Sequence, residues 1–258
     1  MNAQNMTQEL IRIAMWSGPR NISTAMMRSW ENRSDTVVVD EPLYGPYLAT
    51  TGKKHAAYEE IRLVQGNDWR PIVQELTEET PPEAGENTKI YYQKHMSHHL
   101  TDDIELDFVD HLRNGFLIRH PNDVLASYLR KHHRATPADL GFPQQVKLFN
   151  WIKQRTGKTP PILESKDIQM DPEGMLTKLC TALNVPFDAA MLSWPKGYRD
   201  SDGIWAEHWY NRVIESTGFS EYKAKENKLS KDEQRIADEC MPYFEALLEH
   251  KITGSLIR

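Results

Sequence analysis

A turn close to the amino terminus has the composition of a phosphate-binding loop. Residues 16–24 read Trp-Ser-Gly-Pro-Arg-Asn-Ile-Ser-Thr and join an apolar run directly to a helical pattern. Backbone N–H groups of such a turn and the positive end of the helix attract an anion, and Arg20, Ser23 and Thr24 offer side-chain donors. An ordinary strand-to-helix turn with an N-cap has a similar composition, so the turn alone leaves both interpretations open.

The same turn lacks the lysine of a Walker A loop. That pattern places Lys and then Ser or Thr after its second Gly, where they reach the β/γ-phosphates and hold Mg²⁺. Ser23 and Thr24 occupy these two positions here. Metal-dependent phosphoryl transfer from a nucleoside triphosphate is therefore disfavoured, and the histidines show no convincing metal-ligand spacing.

Arg119 and Ser127 form a second candidate anion site. Arg119 closes the apolar run 116–118, Pro121 suits the first position of the following helix, and Ser127 comes two turns into it. A guanidinium can pair with a phosphate and a hydroxyl can add a directed hydrogen bond. The ordinary interpretation is a surface arginine at the end of a strand.

Alternating patterns of strands and helices would position these groups. Short β-branched or aromatic runs predict five buried strands, and helical periodicity separates them, as in a parallel sheet covered on both faces. We therefore expect one α/β domain over residues 1–258, with a mainly parallel five-stranded sheet in a core at about 10–185 and a helical part at about 186–258. The predicted strands are 11–16, 36–39, 89–93, 115–118 and 161–163, and the predicted helices are 23–30, 55–64, 122–132, 144–154, 173–183 and 232–250, the last interrupted near Pro242.

Polar residues follow all five predicted strands. Ligands of open parallel sheets bind outside the carboxyl ends of the strands, because loops and helix N-termini converge there. Hydroxyl, cationic and carboxylate groups at every end predict a shared cleft for a polar, largely anionic ligand. These residues are Ser17, Asp40, Glu41, Lys94, His95, Arg119, His120, Glu164, Ser165 and Lys166.

Taken together, the two anion motifs resemble those of the sulfotransferase family, which uses 3′-phosphoadenosine-5′-phosphosulfate (PAPS) in a three-layer P-loop-like fold. Residues 19–24, Pro-Arg-Asn-Ile-Ser-Thr, are similar to the family's 5′-phosphosulfate loop. Arg119, Pro121 and Ser127 match its 3′-phosphate motif in order and spacing. The resemblance runs from about residue 11 to 183 and implies PAPS contacts at Gly18, Pro19, Arg20, Asn21, Ser23, Thr24, Arg119 and Ser127.

The chain departs from the family pattern at three places. Ile22 stands where many members have Gly, and Ser165 stands where cytosolic members have Tyr near the adenosine. The C-terminal Arg-Lys-Gly segment that completes the 3′-phosphate site is not visible. Lys223, Lys225 and Lys228 are candidates for its role.

The resemblance also implies candidates for the catalytic groups. Glu41, followed by Pro-Leu, resembles the segment that carries the base in carbohydrate-type sulfotransferases. Lys94-His95 resembles the Lys-Thr-His segment of cytosolic aryl and steroid enzymes, and His98 is a further alternative. We favour Glu41 as the base and expect Lys94 to bridge toward the transferred group. A helix-capping carboxylate and cleft-lining histidines are the ordinary interpretations.

Aromatic residues near the C-terminal part predict an acceptor pocket. We expect Trp205, His208 and Trp209 to contact the acceptor, although Trp205 and Trp209, at i and i+4, could equally pack in the core. A formal net charge of −6 disfavours a highly sulfated polysaccharide. A small alcohol, phenol or amine is expected.

Composition restricts partners and location. The net charge of −6 argues against gripping nucleic acid or an anionic membrane, and the run 10–16, which Arg12 interrupts, is too short for a signal segment or a membrane span. Two cysteines suit a reducing compartment, so we expect a cytoplasmic protein. A small-molecule kinase and a non-catalytic nucleotide-binding protein are the rival functions, and the oligomeric state is left open.

Overall fold

The structure, a computed structural model, describes residues 10–224 and 227–253. A five-stranded sheet in the order β2-β3-β1-β4-β5 forms its centre, and every neighbouring pair of strands is parallel. The α/β class and the parallel sheet predicted from the alternating patterns are confirmed. The strands are β1 (Ile11–Ser17), β2 (Thr36–Asp40), β3 (Ile90–Met96), β4 (Arg113–Ile118) and β5 (Ile162–Glu164).

Helices follow each strand and cover both faces of the sheet. The α-helices are α1 (Ser23–Glu31), α2 (Tyr44–Thr51), α3 (Tyr58–Gln65), α4 (Trp69–Thr77), α5 (Pro121–Tyr128), α6 (Phe142–Thr156), α7 (Ser165–Met170), α8 (Pro172–Ala182), α9 (Ala206–Trp209), α10 (Asn211–Ile214) and α11 (Lys231–Leu248). Short 3₁₀ helices occupy Ser97–His99, Leu106–His111 and Ala189–Leu192. Within the described ranges, no helix is long and apolar enough to cross a membrane.

Side chains alternate across the sheet and fill two apolar cores. Along β1, Ala14 and Trp16 enter the core that α5, α6 and α11 cover, whereas Ile13 and Met15 enter the core that α1 and α8 cover. Period-two alternation on a strand that is buried on both faces explains the nearly continuous apolar sequence of β1. The carboxyl end of this central strand leads directly into the turn before α1.

Strand β3 is longer than the sequence pattern predicts, and this corrects the expected position of two residues. Lys94 and His95 lie inside the strand, not beyond its end, because β1 continues alongside both residues and β2 alongside Lys94. Lys94 is paired in register with both Met15 and Asp40. Polar residues are typical of the loop that follows a strand, so the sequence pattern ended the strand before them, yet both residues are buried.

Prolines account for other differences from the predicted helices. The sequence did not predict α2 or α4, whose Pro46 and Pro71 each fall in the first turn, where a missing N–H breaks no helical hydrogen bond. The short α7 was also missed. Conversely, Pro242 does not interrupt α11, because this residue is exposed while the opposite face packs on the sheet and on α5 and α6.

Candidate active site

The turn between β1 and α1 forms a tight cradle. A Cβ atom at Gly18 would clash with the Leu140 carbonyl oxygen, so only glycine fits there. Arg20 and Ile22 both adopt left-handed conformations, with φ of 62° and 50°. Asn21 is buried and donates its Nδ2 hydrogen to the Leu117 carbonyl oxygen at 2.5 Å, which ties the turn to β4. The turn at the end of the central strand is thus rigidly held.

Three further arginines surround Arg20 of this cradle. Ser127 Oγ accepts hydrogen bonds from Arg20 Nε at 3.0 Å and from Arg130 Nη2 at 2.8 Å. Arg119 Nη1 donates to the Arg20 carbonyl oxygen at 2.8 Å. Burial lowers the pKa of Arg20, and the charges of Arg130, Arg212 and Arg119 lower it further. These cations repel one another, and a bound polyanion would relieve that repulsion. The cluster is a local concentration of positive charge, because the chain as a whole has a net negative charge.

The arginines open onto a cavity of about 510 Å³. Six of the eight predicted PAPS contacts line it, so the structure brings the two sequence motifs together in one place. Gly18 and Pro19 do not; Pro19 lines the neighbouring cavity described below. The six residues are Arg20, Asn21, Ser23, Thr24, Arg119 and Ser127.

A polar extension continues this cavity along α7. It has a volume of about 250 Å³ and shares Arg119, Asp123, Gln169 and Tyr222 with the larger cavity. Ser165, the departure from the family's tyrosine, lies in its wall. Among the lysines considered for the 3′-phosphate site, Lys223 lines the main cavity, Lys228 lines neither cavity, and Lys225 lies outside the described residues.

A second, smaller cavity of about 110 Å³ meets the first at the cradle. Both are lined by Arg20, Ser23, Thr24, Trp209 and Tyr210. The other walls are mainly aromatic rings, several of them stacked in pairs. The remaining lining residues are Pro19, Glu41, Tyr44, His55, Met96, His98, His99, Tyr128 and His132.

Most of the wall of this smaller cavity is aromatic and uncharged. His132 stacks between Tyr128 and Trp209, with ring centroids 4.0 and 5.2 Å away. Burial lowers the pKa of His55 to about 4 and that of His98 to about 3. These histidines are therefore neutral at pH 7, which suits a small, largely apolar molecule.

Glu41 places a carboxylate in the wall of the smaller cavity. Its backbone has a φ of 44° and is fixed by two hydrogen bonds, from its own N–H to the Lys94 carbonyl oxygen at 2.9 Å and from Gln65 Nε2 to its carbonyl oxygen at 3.1 Å. Burial raises the pKa of Glu41, the Lys94 charge opposes this shift, and Asp40 adds to it. A held carboxylate with a raised pKa is suited to accept a proton.

Lys94 lies beneath Glu41 with all three ammonium hydrogens engaged. It donates to Asp40 and Glu41, each at 2.6 Å, and to the Tyr210 hydroxyl at 2.7 Å. Burial alone would lower the pKa of Lys94, but the two carboxylates hold it well above its usual value. Since none of its donors is left over, the structure does not place Lys94 as the expected bridge toward a transferred group.

His95 is placed in the core instead of the cleft. Its ring stacks on Trp16 with centroids 4.2 Å apart, and Nε2 lies 3.1 Å from Gln93 Oε1. Burial lowers its pKa to about 3, and it lines neither cavity. His98 does line the smaller cavity. The histidine of the pair resembling cytosolic enzymes is therefore not brought to the site.

The three predicted acceptor contacts also separate. Trp209 lines both cavities, whereas His208 is exposed and lines neither. Trp205 is buried, donates from Nε1 to the Tyr210 hydroxyl at 3.2 Å and packs edge-on against Tyr44. Only Trp209 thus occupies the predicted position, and Trp205 follows the core-packing alternative.

Comparison with known proteins agrees with this geometry. A family model described as "Sulfotransferase domain" matches residues 11–251. The Sulfotransferase Domain from the Curacin Biosynthetic Pathway aligns with a TM-score of 0.52 and 16% identity, over 91% of this chain and 99% of that one. A sulfotransferase from Alicyclobacillus acidocaldarius aligns with a TM-score of 0.52 and 9% identity, over 95% and 98%. Both structures share the fold.

Two curated relatives come from Arabidopsis thaliana. "Branched-chain-amino-acid aminotransferase-like protein 1" is 32% identical over 247 residues, and protein 2 of the same name is 31% identical over 239. These matches cover 95% and 92% of this chain but only 43% and 41% of the relatives, so the chain spans less than half their length. The family match over nearly the whole described chain, together with the fold, leads to one conclusion: the chain belongs to the sulfotransferase family.

Proposed function

We propose that this protein transfers a sulfuryl group from PAPS to a hydroxyl or amine of a small acceptor, with Glu41 as the base. The observation that carries the proposal is the junction of two unlike cavities at Arg20, one ringed by arginines and one walled by aromatic rings. Such a junction suits an anionic donor on one side and an uncharged acceptor on the other.

The donor side has the charges that a nucleotide with two separated anionic groups requires. Arg119 and Ser127 would hold the 3′-phosphate, and Arg20 with the N–H groups of the cradle would hold the 5′-phosphosulfate. Arg130, which already bonds Ser127, would add charge to the first of these sites. PAPS supplies the transferable sulfuryl group, and no residue of the cradle supplies the lysine of an ATP-binding Walker A loop.

The acceptor side supplies the base. In the proposed reaction the bond between sulfur and the phosphate oxygen breaks, a bond forms between sulfur and the acceptor oxygen or nitrogen, and the acceptor proton passes to Glu41. Lys94, Asp40 and Tyr210 act as positioning residues, because Lys94 bonds Glu41 directly and Asp40 and Tyr210 bond Lys94. Arg20 stabilises the negative charge that develops on the leaving phosphate.

The cavity walls support a small acceptor. Trp209, His132 and Tyr128 offer flat apolar surfaces, and the lowered pKa of His98 leaves little positive charge for an acidic polymer. We therefore keep a small molecule as the partner, rather than nucleic acid or a membrane. Cytoplasmic location remains an expectation from composition.

Direct transfer from radiolabelled PAPS tests the proposal. The protein is incubated in EDTA with [³⁵S]PAPS and a panel of small alcohols, phenols and amines, in parallel with [γ-³²P]ATP and Mg²⁺. Label transfer from PAPS to at least one acceptor supports sulfuryl transfer. Transfer from ATP alone would support a kinase, and tight nucleotide binding without turnover on any acceptor would support a non-catalytic protein.

A further inference from the structure

A groove of about 920 Å³ runs along the outer edge of β2, at the end of the sheet opposite β5. We call it the β2-edge groove. Residues of the loops 79–83 and 200–205 and of α3 line it together with β2. It is larger than either cavity of the candidate active site. All five residues of β2 line it.

The backbone of β2 offers hydrogen-bonding groups to this groove. Within the described part of the chain, β2 pairs with β3 and with no other strand. The Asp35 carbonyl accepts from the Ile90 N–H at 3.0 Å, and the Glu41 N–H donates to the Lys94 carbonyl at 2.9 Å. Backbone groups of odd-numbered residues therefore face β3. By the alternation of a strand, the N–H and C=O of Val38 face the groove.

Apolar side chains line the groove and remain partly exposed to solvent. Val37, Val38 and Val39 are each only partly buried, although the other strands of the sheet are almost fully buried. Val64 of α3 and Ile204 are 69% and 42% exposed at its wall. An unpaired edge strand beside exposed apolar side chains is a template for adding another strand.

The rim of the groove is acidic. Glu75, Glu79, Glu83 and Asp200 are exposed along it. Burial raises the pKa of the groove-lining Tyr91, and the charges of Glu83 and Glu75 raise it further while Arg12 lowers it. A second copy of this chain would bring the same acidic rim against itself, and nucleic acid would be repelled. The charge instead complements a basic segment.

We propose that the β2-edge groove binds an extended, basic polypeptide segment of a partner protein, which adds to the sheet as a strand beside β2. Five residues of β2 extend roughly 16 Å, which is enough for one short strand. Apolar side chains of the segment would rest on the valines and Ile204. Alternate lysines or arginines would face the acidic rim.

A fluorescent peptide, Lys-Val-Lys-Val-Lys-Val-Lys, tests this site by anisotropy at physiological ionic strength. We expect saturable binding with one site per chain. The double variant Glu75→Lys/Glu83→Lys should weaken binding by roughly tenfold or more. Glu239→Lys/Glu245→Lys on the exposed face of α11 makes the same change in net charge at the other end of the sheet, and should bind like the wild type. Equal weakening by both pairs would overturn the site.

Two further arms separate strand addition from its alternatives. The same peptide with N-methyl groups on all of its residues cannot donate to β2 in any register, so it should lose most of its affinity; unchanged affinity would overturn strand addition. In sedimentation velocity, we expect the wild type and the Glu75→Lys/Glu83→Lys variant to have the same oligomeric state. Dimerisation that this pair changes would make a second copy of the chain the occupant and overturn the proposal. Circular dichroism confirms that each variant is folded.

Discussion

Arg20 Nε donates a hydrogen bond to Ser127 Oγ at 3.0 Å, although 107 residues separate them in the chain. This bond joins the cradle after β1 to the helix after β4, and thus the two proposed phosphate sites. Arg130 bonds the same hydroxyl from one helical turn further on. We therefore expect one connected group of side chains to bind both the 3′-phosphate and the 5′-phosphosulfate of the donor.

Arg119→Ala should weaken binding of adenosine-3′,5′-bisphosphate by about 1.5–3 kcal/mol while changing AMP binding little, because AMP lacks the 3′-phosphate. Isothermal titration calorimetry of both nucleotides measures the difference. Arg235→Ala, an exposed arginine on α11, is the matched control. A loss shared equally by both nucleotides would remove Arg119 from the 3′-phosphate site.

Glu41→Gln should reduce turnover on an identified acceptor by about 10²–10⁴-fold, since the amide keeps the shape of the side chain but takes no proton. Nucleotide affinity should stay at the wild-type value. His98→Ala and His95→Ala are made in parallel and assayed for transfer and for bisphosphate binding. Full activity in Glu41→Gln with none in His98→Ala would make His98 the base.

The pH dependence of kcat/KM should move in opposite directions in two variants of the buried network. Glu41 acts as a base only when ionised, so activity rises with pH through its pKa. Asp40 raises that pKa and Lys94 lowers it. Asp40→Asn should therefore shift the acidic limb to lower pH and Lys94→Met to higher pH. A purely structural role for both residues would reduce activity without opposite shifts.

Acidification should destabilise the fold through its buried histidines. Burial lowers the pKa of His95 and His98 from 6.5 to about 3, so the unfolded chain binds more protons between these values. Their contribution is complete above pH 6.5 and falls as the pH drops, by at most about 1.4 kcal/mol per pH unit for each. Urea denaturation between pH 7 and 4 measures the slope.

His95→Gln should make that slope shallower, whereas His208→Gln, which changes an exposed histidine, is the control. An identical slope in the wild type and in His95→Gln would mean that His95 accepts protons equally well in the folded and unfolded chain. His95 would then not be the buried, neutral ring that stacks on Trp16.

Local sequence patterns were sufficient for the α/β fold class and for the two motifs that line the larger cavity. Arg20 follows a strand and Arg119 closes another, and each motif lies within a short stretch of sequence, so spacing together with the family resemblance pointed to them. Ile22 illustrates the limit of such patterns. The family resemblance implies Gly at this position, yet the isoleucine adopts a left-handed φ of 50°, which is a strained conformation for a β-branched residue.

The smaller cavity, the proposed acceptor site, depended on tertiary packing that spacing does not encode. His55, His99, His132 and Tyr128 come from three separate segments and meet only in the folded chain. Arg212 reaches the site from the C-terminal part, where no motif marks it. Arg130 had a usable signal, one turn after Ser127. The sequence pattern ended β3 before Lys94, because a lysine is buried inside a strand only where it has buried partners. The pattern does not show that Asp40 and Tyr210 pair with this lysine.

Calorimetry with adenosine-3′,5′-bisphosphate in EDTA tests the central claim most directly, because it requires no knowledge of the acceptor. We expect one site per chain, with affinity at least roughly tenfold, or about 1.4 kcal/mol, above that of ATP with Mg²⁺ and above that of AMP. Tighter binding of ATP that depends on Mg²⁺, or equal binding of AMP and the bisphosphate, would contradict a PAPS site between Arg20 and Arg119.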